Sequence, residues 1–159
     1  MVAGMTLWTI RISTLLYLLA LRDWIAGNET RGRVLWALGC AFFVAHAIAA
    51  FHFQYEWSHT VAIRETARQT KALFGVDNGS GIYWNYIFAV VWVVDALWGS
   101  RTKKPWIAWC VHGFMGFMFF NGAIVFASPA MRWSTSAAAV ALVVFWLMNR
   151  PSLLVPTRD

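Results

Sequence analysis

Apolar residues run along this chain in long blocks rather than in alternation, and its polar residues gather between the blocks. Cut at the charges and at Gly and Pro, the sequence yields five apolar stretches, at roughly residues 5 to 21, 34 to 55, 82 to 98, 106 to 127 and 133 to 149. Each approaches the ~20 residues with which a helix crosses a bilayer. A backbone N–H or C=O in lipid has no water to bond, so each stretch is expected to be an α-helix. The predicted fold class is all-α: a polytopic membrane helix bundle of five transmembrane helices, forming one integral membrane domain over residues 1 to 159.

The boundaries carry their own chemistry. Pro105 stands where the fourth helix starts, a position that loses no intrahelical bond, and Pro151 follows the fifth helix, which it cannot continue. Asn28 and the segment GVDNGSG at Gly75 to Gly81 supply turn residues. Between them WSHTVAIRETARQTKALF, residues 57 to 74, has helix-forming composition without Gly or Pro. It predicts a short interfacial helix in the second loop, either bent from the second membrane helix or continuous with it. The small residues Gly113 and Gly116, Ala37 and Ala41, and Ala137 and Ala141 form faces that permit close helix packing.

Tryptophan placement tests this segmentation, because its ring favours the lipid–water interface. Trp8 and Trp24, Trp36 and Trp57, Trp84 and Trp98, and Trp133 and Trp146 each bracket one stretch; Trp106 and Trp109 mark the start of the remaining one, and Trp92 alone falls in an interior. Lys and Arg then set an orientation. With the N-terminus outside, the inner side collects Arg22, Arg31, Arg33, Arg101, Lys103, Lys104, Arg150 and Arg158, against Arg132 in the short outer loop. The positive-inside rule favours this N-out, C-in arrangement, although Arg64, Arg68 and Lys71 then lie in the longer outer loop. No small-x-small cleavage site follows the first stretch before Arg22 and Asp23, so it is expected to be retained rather than removed as a signal peptide.

Composition closes off other classes. With 60% hydrophobic and 13% charged residues, the chain departs from soluble domains, where about 25% charged is usual, and from disordered chains. The net charge of +6 comes from bases scattered between apolar blocks, which argues for topology and against a nucleic-acid partner. Cys40 and Cys110 stand singly in apolar runs, as packing residues do. No phosphate loop, dinucleotide fingerprint, nucleophile elbow or HExxH is present.

Ionisable residues within membrane helices are costly enough to count as functional candidates. His52, Glu56 and His59, in FHFQYEWSH, fall on one face of a continuous helix, since at ~100° per residue Glu56 and His59 lie within roughly 40° of His52. Two imidazoles and a carboxylate suit Zn or non-haem Fe, although three successive turns span about 10 Å, too far for one ion to meet all three. The alternative is a polar stripe at the interface. His46 and His112 are the embedded pair that would hold a b-type haem, offset by about 9 Å in depth, or else are buried histidines bonded within the bundle. Asp95 either pairs with Arg101, Lys103 and Lys104 or, with His112, relays protons or binds a cation. Asn85 and Asn121 are neutral companions, and Arg11 must snorkel from the first helix or find a partner.

The leading functional reading is a non-catalytic accessory or assembly subunit of a membrane complex, whose partners are the lipid bilayer and other membrane subunits. The alternatives are a redox or metal-binding protein using these histidines, and a small transporter or ion pathway centred on Asp95 and His112. An odd number of helices without an inverted repeat weighs against transport unless the chain oligomerises.

Overall fold

The computed structural model of the chain describes residues 2–99 and 104–149, and the regular elements among them are all helical. They are α1 (Val2–Ile25), α2 (Glu29–Phe53), α3 (His59–Phe74), α4 (Gly81–Trp98), α5 (Pro105–Phe120), a π-helical turn (Asn121–Val125) that prolongs α5, and α6 (Pro129–Met148). Four of these, Glu29–Phe53, Gly81–Trp98, Trp106–Val125 and Pro129–Met148, are long and apolar enough to cross a membrane. The first predicted stretch lies in α1, which carries Arg11, Arg22 and Asp23 within its length. Arg101, Lys103, Arg150, Pro151 and Arg158, named above for topology, lie outside the described residues.

Charges cut the sequence but not the helices. α1 runs on through Arg22 and Asp23 to Ile25, and α2 starts at Glu29 rather than residue 34. The turn between them is built by Gly27, at φ 77°, and by Asn28, whose side chain accepts from the Arg31 N–H at 3.2 Å. Asp23 fixes the same turn. Its backbone carbonyl accepts from Asn28 N–H at 2.8 Å, and its buried carboxylate lies 2.8 Å from Arg22 and 3.0 Å from Arg31. α6 likewise begins at Pro129, one turn before the predicted start at residue 133, with the proline in the first turn where its missing N–H is harmless. Arg132 donates to the carbonyls of Ile124, Val125 and Ala127, closing acceptors left open where the π turn ends.

α1 and α2 form the most extensively packed pair; α4 packs on α2, α6 on α1, α5 on α4, and α3 on α4. Close approach uses Gly39, where an added Cβ would meet the Trp92 ring at 3.2 Å, and Gly32, where it would run into Trp24. Ser13 donates to the Gly39 carbonyl at 2.8 Å, so this crossing is also hydrogen-bonded. The small residues expected to mediate packing, Ala37, Ala41, Ala137 and Ala141, are instead exposed.

Aromatic side chains fill the middle of the bundle. Tyr17 stacks on Phe119 at 4.3 Å and meets Trp36 at 5.3 Å, while Trp36 meets Trp92 at 5.2 Å. Trp36 therefore belongs to the core, at 1% exposure, and not to the interfacial belt in which the sequence reading placed it. The physical reason is the earlier start of α2, which moves Trp36 two turns into the helix. Its indole N–H and that of Trp92 are buried without a hydrogen-bond acceptor among the described residues.

Candidate functional site

Two cavities open on either side of this aromatic layer. The first, of about 500 Å³, lies at the end where α1 turns into α2, between the C-terminal parts of α1 and α4 and the N-terminal parts of α2 and α5. Trp24, Val91, Val94 and Trp98 supply apolar wall, and Glu29, Arg33, Asp95 and His112 bring two acids and two bases to one space. His112 is held edge-on by Trp24 and Trp36, with ring centroids 5.3 and 5.4 Å away, and its Nδ1 is buried without a hydrogen bond. The Asp95 carboxylate folds back over Gly99, where a side chain would collide with it. Among the described residues Asp95 forms no ion pair with Lys104; its other expected partners, Arg101 and Lys103, lie outside them.

The second cavity, of about 460 Å³, lies toward the α3 end, and none of its lining residues is an acid, a lysine or an arginine. Ser13, Thr14, His46, Gln54, Tyr55, Gln69, Asn85 and Tyr86 contribute its polar groups, and Phe43, Phe88, Trp92 and Phe119 part of its wall. His46 Nδ1 sits 2.9 Å from the Thr6 carbonyl oxygen. A carbonyl can only accept, so Nδ1 carries the proton and Nε2 is the acceptor of the neutral ring. Tyr55, beyond the end of α2, has its phenol pushed up by burial and then by Glu65 and Tyr86, so it remains a neutral hydroxyl.

His46 and His112 thus line different cavities on opposite sides of the aromatic layer, and the structure does not bring them together as a haem ligand pair. The predicted His52, Glu56 and His59 face is also not formed. α2 ends at Phe53, Glu56 and Trp57 take positive φ of 49° and 57°, and α3 begins afresh at His59. His52 accepts from the Trp57 indole N–H at 3.2 Å, whereas His59 Nδ1 lies 2.9 Å from the Tyr86 hydroxyl on α4. Among the described residues no group of three or more His, Cys, Asp or Glu is placed to hold a metal ion. Arg11 does not join the polar groups of the α3 end; its guanidinium lies over the Trp8 ring, 5.3 Å from the centroid. Asn121 donates to the Phe117 carbonyl at 2.9 Å within its own helix, and Asn85 is exposed at the second cavity.

Two residues that the sequence reading used only as loop and boundary markers organise these ends: Asp23, the buried carboxylate of the α1–α2 turn, and Arg132, the clamp on the α5–α6 turn. For Asp23 the available signal was a charge cluster of Arg22, Asp23 and Arg31 flanking a Gly-Asn turn. Comparison with protein-family models, with curated proteins and with solved structures finds no match to the chain.

Proposed function

We propose that this chain is a small multi-pass membrane protein with five spans, its N-terminus outside and its C-terminus inside, that acts as a non-catalytic subunit of a membrane assembly. The observation that carries the reading is the direction of its small-residue faces. Among the described residues a Cβ added at Gly113 or Gly116 of α5 would meet nothing within 4 Å, and Ala37, Ala41, Ala137 and Ala141 are exposed. Helices in lipid associate by close packing at such positions, since apolar burial alone yields little there. Among the described residues these faces are largely open, which leaves them for helices of other chains.

The open space makes the test clean. Leucines at both positions, Gly113→Leu with Gly116→Leu, start from open space at the Cβ and are expected to leave the thermal midpoint and detergent-solubilised monomer unchanged. Cross-linking in native membranes is expected to give a discrete higher-mass species for the wild type and to lose it in the double variant. A wild type that cross-links to nothing, or a variant that still does, would refute the reading. A second reading, an ion or proton site at Asp95 and His112, is favoured by the first cavity, where both residues share the lining with Glu29 and Arg33 and His112 Nδ1 is buried with no hydrogen bond among the described residues.

A further inference from the structure

The second cavity has a lining that selects a kind of ligand. We infer that it binds an uncharged, lipid-soluble aromatic molecule bearing a ring hydroxyl, of the phenol or quinol class, with His46 Nε2 accepting the hydroxyl hydrogen. Three observations on separate residues converge on this assignment. At about 460 Å³ the cavity falls within the ~300–1,000 Å³ of small-molecule sites. Its walls are aromatic, with Phe43, Phe88, Trp92 and Phe119 offering ring faces and edges to a planar group. No acid, lysine or arginine lines it, so an ionic ligand would meet no counter-charge and lose its hydration uncompensated.

Hydrogen bonding narrows the class further. The Thr6 carbonyl holds the His46 proton on Nδ1, and the remaining nitrogen of the neutral ring takes a donor rather than supplying one. A purely apolar occupant such as a lipid acyl chain would leave that acceptor unused. The amides of Gln54 and Asn85 also line the cavity and are suited to a second oxygen on the ligand. A ring with one hydroxyl and a further oxygen satisfies both sets of groups.

The experiment uses the full chain in lipid nanodiscs, with empty nanodiscs as the blank. A short-chain benzoquinol under argon is titrated calorimetrically beside its dimethyl ether, which keeps the ring and tail but cannot donate. The quinol is expected to bind saturably at one site per chain, and the ether about tenfold more weakly, the effect of leaving one buried acceptor unpaired. His46→Phe should weaken the quinol by a similar factor and leave the ether unchanged. Because His46 also ties α2 to α1, a second variant guards against loss of fold. Gly122 lines the cavity, and among the described residues a Cβ there would meet nothing within 4 Å, so Gly122→Leu adds bulk at the lining from a position open at its first side-chain atom. It should block the quinol at an unchanged thermal midpoint. Non-saturable uptake, equal affinity for quinol and ether, or binding indifferent to Gly122→Leu would overturn the inference and leave the cavity to lipid chains.

Discussion

A carboxylate packed into a helical bundle loses hydration, so what answers its charge decides what it does. Asp23 and Asp95 answer differently. Asp23 is buried with two guanidinium groups at 2.8 and 3.0 Å, and its place is structural, because it ties the end of α1 to the start of α2. Asp95 instead lines a cavity with His112, Glu29 and Arg33. If that cavity is an ion or proton site, Asp95→Asn, which keeps the shape and removes the charge, is expected to abolish proton or cation flux in proteoliposomes at an unchanged thermal midpoint. A wild type with no flux above empty vesicles, or an Asn variant with undiminished flux, would retire that reading. Asp95 and His112 stand out in the sequence because both lie inside apolar runs, and the structure places both on the lining of one cavity. Asp23 does not stand out, since beside Arg22 and close to a turn it reads as a loop boundary, and only the fold turns its carboxylate inward.

At the level of elements, hydropathy marked the helices well and their ends poorly. A charge ends an apolar run without ending a helix, since Arg31 and Arg33 sit within the first turns of α2 and Arg22 within the last turn of α1. The break between α2 and α3 was hidden for the opposite reason. No Gly or Pro marks it; the chain turns on Glu56 and Trp57 at positive φ, held by the Trp57 N–H on the Phe51 carbonyl at 2.8 Å and by its indole on His52. That turn dissolved the expected His-Glu-His face. α3 itself was legible: Ser58 caps its start, and Gly75, at φ 73°, takes the left-handed position that closes its end. On its surface Arg68 donates twice to Glu65 and Gln69 donates once, and the Arg68 bond, chiefly, holds the Glu65 carboxyl below the usual carboxylate range. A folded pKa below the unfolded one gives stability that is present above the unfolded value, about 4.3, and lost as pH falls through the folded one. Carbon NMR of the Glu65 carboxyl, assigned with Glu65→Gln, is therefore expected to titrate below that value, and Arg68→Ala to return it upward. An ordinary midpoint in the wild type would show that the pair is not formed in solution.

For the whole molecule, the arrangement of its ends bears on how it sits in a bilayer. Arg22, Arg31, Arg33 and Lys104 gather at the α1–α2 turn end, with α3 and the α5–α6 turn at the other. Cations at the α3 end are largely engaged: Arg68 with Glu65, Lys71 with Asp77 at 3.2 Å, and Arg132 with backbone carbonyls. Arg64 makes no ion pair among the described residues, but at the turn end Arg22 and Arg31 are likewise answered by Asp23, so charge pairing favours neither end, and the proposed orientation rests on Lys and Arg counted along the sequence. The proposed N-out, C-in orientation is testable with one chain and two cysteines. Cys110 is exposed and is first replaced by Ser, while Cys40 is buried. Val76→Cys reports the loop after α3, and Lys104→Cys reports the start of α5; both side chains are exposed and neither makes a helix-capping bond. In intact cells a membrane-impermeant maleimide is expected to label position 76 and to spare position 104 until the membrane is permeabilised. Labelling of 104 alone would invert the orientation. Labelling of both in sealed cells would place the two ends on one side, which an odd number of crossings between them forbids, and would reject α4 as a span.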